Sequence, residues 1–206
     1  MKHVDILVGI PCSGKTTFRN NSYNQSDIFV ISRDDIRNQL IEEYEIPYQD
    51  MFKKPKEDDP MIHEVYGIKT QNGTWSNIEK MNADFKERFE YRKEQAVKEI
   101  EKGKRIVVDL TNTTKAERQE IKDLFKDIND VSFSAFIFEF ERNLKLIKET
   151  NQIRGQKNEN VIPDFVFDDF INKFENVDSS EGFDNIVGID GLKGLKKTQK
   201  IKRKMR

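Results

Sequence analysis

Cysteine, histidine and tryptophan are scarce in this chain of 206 residues, which has one Cys, two His and one Trp. The single cysteine, Cys12, excludes an intramolecular disulfide and a metal site built from four thiolates. No apolar run approaches the length of a membrane span, and the segment before Gly9 is too short for a secretory signal. These features favour a cytoplasmic protein with no membrane partner.

The chain also lacks an excess of charge of either sign. Its 36 Lys and Arg residues nearly balance 37 Asp and Glu residues, for a formal net charge of -1. Such a balance gives no long-range field to attract a polyanion. Any contact with a nucleic acid would therefore depend on a local patch.

What the chain does have is an alternation of apolar and charged segments. Five short apolar runs, rich in β-branched and aromatic residues, predict strands at 4–8, 28–31, 105–109, 133–140 and 186–189. Charged, helix-favouring segments predict helices at 16–20, 35–43, 77–102, 115–126, 142–152 and 164–174. This order predicts an α/β fold in which a parallel sheet is flanked by helices.

The predicted domain covers residues 1–190 and is interrupted by two less regular segments. The segment at about 44–76 contains three of the five prolines and predicts an insertion, read either as a substrate-facing flap or as decoration. A lid is predicted at about 150–163. The basic tail, 191–206, contains eight Lys and Arg residues and either stays solvated or adds phosphate contacts.

The strongest motif follows the first predicted strand and has the pattern G-x-x-x-x-G-K-[ST]. It reads Gly9-Ile10-Pro11-Cys12-Ser13-Gly14-Lys15-Thr16 and is followed by Thr17. Such a loop binds phosphates through backbone N–H groups, with the lysine on the β- and γ-phosphates and the hydroxyl on Mg²⁺. We expect residues 9 and 11–17 to bind ATP and Thr16 to bind the metal.

A second polar group, Ser32 to Arg37, follows the second predicted strand. Phosphoryl transfer to a hydroxyl requires a carboxylate to accept the proton and cations to hold the acceptor. Asp34 is the candidate base, and Arg37, three residues later on the same helical face, is the candidate clamp. In the alternative interpretation, Asp34 or Asp35 caps a helix and Arg37 is a solvated surface residue.

Two weaker candidates lie further along the chain. Residues 109–112, Asp-Leu-Thr-Asn, lie at the end of the third predicted strand. They would either hold the water shell of the metal or position the acceptor through Thr111 and Asn112. A strand-to-helix turn with a cap at Thr113 or Thr114 would have the same pattern. Arg154 precedes Gly155 and suits a lid arginine placed over the transferred phosphate.

In this order the motifs resemble the kinase domain of bacteriophage-type polynucleotide 5′-kinases, over about residues 1–175. The resemblance implies that Lys15 and Thr16 bind the phosphates and magnesium of Mg·ATP and that Arg154 is the lid arginine on the donor. It also implies that Asp34 is the base for a 5′-hydroxyl and that Arg37 binds the adjacent phosphate. Arg33, next to Asp34, is a further candidate for the acceptor site. The implied activity is ATP-dependent phosphorylation of DNA or RNA 5′ ends, in end healing together with a ligase, and in the host cytoplasm if the chain is phage-encoded.

The chain departs from that family in three respects. Thr150 stands where a second lid arginine is expected, the D-x-D-x-[TV] motif of the phage phosphatase domain is absent, and the insertion at 44–76 is longer. Two alternatives stay open: a P-loop kinase acting on a small molecule or on a modified base in DNA, and an ATP-binding module without catalysis. A homo-oligomer is also left open.

Overall fold

A computed structural model describes residues 1–45, 74–156 and 161–190 of the chain, without the side chains of 74–79 and 154–156. Most of the predicted insertion, part of the predicted lid and the whole basic tail lie outside the described residues. Their roles stay predictions, as does the assignment of residues 1–190 to one domain.

Strands and helices alternate along the chain as predicted. The strands are β1 (Lys2–Val8), β2 (Ile28–Ser32), β3 (Arg105–Asp109), β4 (Val131–Phe138) and β5 (Asn185–Ile189). The helices are α1 (Lys15–Ser22), α2 (Arg33–Tyr44), α3 (Thr74–Glu101), α4 (Lys115–Asp123), α5 (Leu144–Gln156) and α6 (Asp164–Asn172), with short 3₁₀ turns at Glu141–Asn143 and Ser179–Glu181. Within the described part of the chain, no helix is long and apolar enough to cross a membrane.

The five strands form one sheet in the order β2-β3-β1-β4-β5. Strand β1 pairs in parallel with both β3 and β4, and β4 pairs in parallel with β5. Val4 lies opposite Ile106 on one side and Phe133 on the other, and residues on both faces of β1 are buried. The predicted α/β fold with a parallel sheet is therefore confirmed, and the loop after β1 leaves from the middle of the sheet.

Two apolar clusters fix the elements that flank this loop. In the first, Phe18 of α1 packs against a cluster that includes Leu7 and Phe138, with the Phe18 and Phe138 ring centroids 5.4 Å apart. In the second, Ile10 of the loop itself is buried with Ile147 of α5 and Phe167 of α6. The loop is thus anchored by its own apolar side chain to helices on both sides of the predicted lid.

A buried polar network occupies the middle of the sheet. Asp5 of β1 is almost fully buried, and its Oδ2 accepts hydrogen bonds from Tyr23 Oη at 2.8 Å and from Arg105 Nη1 at 2.9 Å. Burial, followed by the charge of Asp5, raises the pKa of Tyr23 above its ordinary value. The tyrosine therefore stays protonated and donates to the carboxylate.

Ion pairs connect α4 to the 3₁₀ turn that precedes β5. Arg118 is fully buried and makes a two-bond contact with Glu181, at 2.7 and 2.8 Å. Lys115 Nζ lies 2.6 Å from Asp178 Oδ2 at the surface. These pairs join residues about sixty positions apart, so they hold the last strand against the body of the sheet.

The chain divides into two compact units, one of Met1–Ile31 with Lys93–Arg206 and the other of Ser32–Arg92. The first contains the sheet and the loop after β1. In the second, α2 and the first part of α3 are joined by a two-bond ion pair between Arg88 and Glu43 and by a hydrogen bond from Tyr44 to Asp84. The Arg88 hydrogen bonds hold the pKa of Glu43 below its ordinary value.

Candidate active site

The loop between β1 and α1 requires glycine at its first position. A Cβ atom on Gly9 would lie 2.8 Å from Ser13 Oγ and 2.9 Å from Phe138 Cβ, closer than real contacts allow. The Gly9 amide donates to the Thr111 carbonyl at 2.9 Å. The loop is therefore folded tightly over the end of β1, and no larger residue fits there.

The second half of the loop turns the backbone toward the start of α1. Cys12 and Gly14 both have positive φ, 60° and 99°, a conformation that favours glycine and costs other residues free energy. Gly14 is the N-cap of α1 and has no side chain to accept hydrogen bonds from the first turn. Because the first amides of a helix bind anions well, this end of α1 suits a phosphate.

Lys15 lies on the inner side of the loop. Its Nζ donates to the carbonyl oxygens of Gly9 and Ile10, both at 2.8 Å, and its side chain is buried. Ser13 Oγ is also buried, without a hydrogen-bond partner in the described part of the chain. The buried Lys15 ammonium and the Ser13 hydroxyl, both in a loop that only glycine allows to fold so tightly, fit a bound phosphate group.

Asp109, at the end of β3, connects the strand to α1. Its Oδ2 accepts a hydrogen bond from Thr16 Oγ1 at 3.0 Å and forms an ion pair with Arg19 Nη1 at 3.1 Å. Asp109 and Arg19 are both buried. A hydroxyl next to a carboxylate supplies the hard oxygen ligands that Mg²⁺ prefers, and that ion usually binds one or two carboxylates together with phosphates. Thr16 and Asp109 therefore fit the predicted magnesium.

Thr111 and Asn112, predicted at the acceptor, lie directly behind the loop. Asn112 is buried with φ of 49°, and its Nδ2 donates to the Leu7 carbonyl at 2.8 Å. Arg118 Nη1 donates to the Asn112 carbonyl at 3.0 Å. Both residues brace the phosphate loop in this structure, and their contact with an acceptor stays a prediction. The turn continues into α4, which Thr114 caps in a reciprocal capping box with Glu117.

The predicted base lies in the second unit, at the start of α2. Ser32 is the N-cap, because its side chain accepts a hydrogen bond from the Asp35 amide at 3.2 Å. Asp34 is therefore not the cap, and 71% of its side chain is exposed. Arg37 Nη1 lies 3.2 Å from Asp34 Oδ1, so the predicted base and clamp are neighbours on one helical face.

The lid is described at its base only. Asn151 is buried, its Nδ2 donates to the Ile162 carbonyl at 2.7 Å, and its Oδ1 accepts from the Ile162 amide at 2.9 Å. Cys12 Sγ approaches the same Oδ1 at 4.0 Å. Thr150 donates to the Leu146 carbonyl one turn earlier. The Arg154 side chain lies outside the described residues, and its role stays a prediction.

Three features of the site were not predicted from the sequence. Arg19 lies three residues after Thr16, a spacing that places both on one helical face, but nothing in the sequence identified Asp109 as their common partner. The contacts of Asn151 with Ile162 have no sequence signal. The aromatic rings beneath the α2 arginines, Phe85 and Phe89, show only the four-residue spacing of an amphipathic helix.

The model of the AAA domain family matches residues 4–177. A gluconokinase from Sinorhizobium meliloti 1021 aligns with 100% of this chain and 98% of its own at 10% identity, with a TM-score of 0.44. No curated protein sequence matches the chain.

The family match covers strands β2 to β4, most of β1, the phosphate loop and every candidate site residue. The loop geometry at Gly9, Gly14 and Lys15 and the Thr16–Asp109 contact are those expected of a nucleotide-binding P-loop. The chain belongs to the AAA domain family, and it has the fold of a P-loop kinase.

Proposed function

We propose that this protein transfers the γ-phosphate of ATP to the 5′-hydroxyl end of DNA or RNA. The P-loop kinase-like family supports ATP-dependent phosphotransfer, and the choice of acceptor is our inference. In the reaction the acceptor oxygen bonds to the γ-phosphorus while the bond to the ADP oxygen breaks. The proton of the hydroxyl passes to a carboxylate.

The observation that carries the acceptor assignment is the pair of Asp34 and Arg37. Ser32, not Asp34, caps α2, and the Asp34 carboxylate is exposed, so it is placed to accept a proton from an acceptor. Arg37, 3.2 Å away, presents a planar set of N–H donors suited to a phosphate. A carboxylate for the hydroxyl beside a guanidinium for a phosphate matches a 5′ end, which has both groups on one nucleotide.

On the donor side, the loop amides and Lys15 would hold the ATP phosphates and offset the charge that develops on them. Thr16 and Asp109 would hold magnesium, which when bound neutralises phosphate charge. Arg19 forms an ion pair with Asp109 and holds its carboxylate beside Thr16. Arg154 is assigned to the transferred phosphate as a lid arginine, by resemblance to the polynucleotide kinases.

The direct test is transfer of labelled γ-phosphate from ATP to a panel of acceptors: 5′-hydroxyl oligodeoxynucleotides and oligoribonucleotides, nucleosides, and intact duplex DNA. We expect labelled 5′ ends. Lys15→Ala should abolish transfer with weaker ATP binding, and Asp34→Asn should abolish transfer with ATP binding retained. Asp35→Asn, one residue along the same helical turn, is the matched control and should retain most of the activity.

The panel also separates the remaining functions. Label in nucleosides or in internal bases, with none at 5′ ends, would replace the proposal with a small-molecule or modified-base kinase. ATP turnover that no acceptor changes would indicate a nucleotide-binding module instead. An Asp34→Asn protein with normal turnover would remove Asp34 from the mechanism.

A further inference from the structure

Two arginine–phenylalanine pairs lie side by side in the second unit. The guanidinium carbon of Arg33 is 4.8 Å from the Phe89 ring centroid, and that of Arg37 is 5.2 Å from the Phe85 centroid. The two rings are stacked on each other with centroids 6.2 Å apart and planes 4° apart. The four side chains therefore form a regular ladder on α2 and α3.

The spacing in this ladder follows from helix geometry. Arg33 and Arg37 are four residues apart on α2, as are Phe85 and Phe89 on α3, so each pair shares a face and is separated by about 6 Å along its helix. Arg33 pairs with Phe89 and Arg37 pairs with Phe85, so the two helices are antiparallel where these side chains meet. Two guanidinium groups are thus held at a fixed separation.

A ring beneath a guanidinium fixes its plane and leaves the N–H groups at its edge available to an anion. Arg37 is also held by Asp34 at 3.2 Å. Phe89 is buried beneath Arg33, whereas Arg33 itself is exposed. An apolar residue at position 33 would cover Phe89 equally well, so what arginine adds there is an oriented positive charge at the surface.

We propose that Arg33 binds the second phosphate of the acceptor strand and that Phe89 is the positioning residue that orients it. This inference rests on the proposed function, in which Arg37 binds the phosphate next to the reacting hydroxyl. The distance between successive phosphates along a strand, one nucleotide, is comparable to the distance between Arg37 and Arg33 along α2. The favoured acceptor is then a strand of two or more nucleotides, not a mononucleotide.

The test compares kcat/KM for two acceptors with a 5′-hydroxyl: a nucleoside 3′-monophosphate and a dinucleotide with a 3′-phosphate. The dinucleotide adds one phosphate, and its charge-assisted contact should give a preference of about tenfold. Arg33→Ala should reduce this ratio to about one. Phe89→Leu, which keeps the apolar cover but removes the ring, should reduce the ratio partly, and Phe89→Tyr should restore it.

Lys86→Ala is the control, because it removes a positive charge from an exposed position of α3 in the same unit. It should leave the ratio unchanged. Far-ultraviolet circular dichroism of each variant checks that the total helix content is unchanged. The inference is overturned by equal kcat/KM for both acceptors in the wild type, or by an Arg33→Ala protein that loses the same factor on both. Transfer to neither acceptor would overturn the proposed function itself.

Discussion

Asp109 is the residue on which the donor side of the site depends most. One of its two carboxylate oxygens, Oδ2, is shared by Thr16 and Arg19, so the same side chain positions the hydroxyl proposed to bind magnesium and pairs with a buried guanidinium. Breaking a buried ion pair costs about 3–5 kcal/mol, because the remaining charge is left without its partner. If Asp109 and Thr16 hold magnesium as proposed, stability and metal binding are coupled at this position.

Asp109→Asn should lower the free energy of unfolding by an amount of that order and weaken magnesium binding by about 10- to 100-fold. Urea unfolding measures the first effect, and the magnesium dependence of phosphoryl transfer measures the second. Asp5→Asn is the matched control, a buried aspartate of β1 that pairs with Arg105. It should lower stability but leave the magnesium dependence unchanged; if both variants shift that dependence equally, Asp109 has no metal role.

At the scale of elements, Asn151 links α5 to the segment that enters α6. Both polar ends of its amide bond to the backbone of Ile162, and its Oδ1 also lies near Cys12 of the phosphate loop. The Asn151 side chain thus joins the two ends of the predicted lid and lies next to the phosphate loop.

Asn151→Ala should leave the Ile162 amide and carbonyl without partners, at a cost of about 1–3 kcal/mol in local stability. Hydrogen exchange at Ile162 should become faster while exchange in β1 stays slow. In kinetics, kcat should fall more than the affinity for ATP changes, because the predicted lid would have to close before transfer. Asn143→Ala, a buried asparagine in the 3₁₀ turn before α5, serves as the control. Unchanged exchange at Ile162 would show that the amide does not hold this junction.

The contact between α4 and the turn before β5 is sensitive to acid. Hydrogen bonds from Lys115 and then from Ser180 hold the pKa of Asp178 below its ordinary value. A carboxyl group whose pKa is lower in the folded state stabilises that state above its unfolded pKa, about 4, and this stabilisation is lost as the pH falls below it. Acid should therefore weaken the attachment of the last strand.

The melting temperature of the wild type should fall as the pH is lowered from about 5 to 3, and Asp178→Asn should flatten part of this slope. Asparagine can still cap the turn, so the substitution tests the charge alone. Lys115→Gln should flatten the slope to a similar degree, and the double variant should add nothing further. If Asp178→Asn gives the wild-type slope, the pair does not contribute to acid sensitivity.

The sequence predicted elements well where the signal is local. Strand β3 has the predicted bounds, Arg105–Asp109. A short run of β-branched apolar residues between two charged residues favours a buried strand over other secondary structure. Helix α4 begins where the T-x-x-E pattern of Thr114 and Glu117 allows a capping box. Pairs such as Arg118 with Glu181 could not be predicted, because their partners are brought together by the folding of the whole chain.

In the candidate site, too, local patterns were predicted and long-range contacts were not. The phosphate loop was predicted residue by residue, because its glycines are required by close approach and backbone conformation, as at Gly9. The importance of Asp109 was underestimated, since its link to Arg19 depends on β3 lying beside β1. The pairing of Arg33 with Phe89 was missed because it joins residues separated by the predicted insertion.

At the scale of the whole molecule, the residues proposed to bind the donor and those proposed to bind the acceptor belong to different units. The phosphate loop and Asp109 lie in the unit of Met1–Ile31 and Lys93–Arg206, and Asp34 and Arg37 lie in the unit of Ser32–Arg92. A ligand that binds the native protein lowers local opening where it binds. The two substrates should therefore protect different parts of the chain from hydrogen exchange.

A non-hydrolysable ATP analogue with magnesium should slow exchange in residues 9–16, and a 5′-hydroxyl oligonucleotide should slow exchange in α2 and around Phe85 and Phe89. Lys15→Ala should remove only the first effect, and Arg37→Ala should weaken only the second, because each acts on one substrate. The measurement is exchange followed by mass spectrometry, with each substrate alone and with both. An oligonucleotide that protects the phosphate loop but not α2 would move the acceptor site away from Asp34.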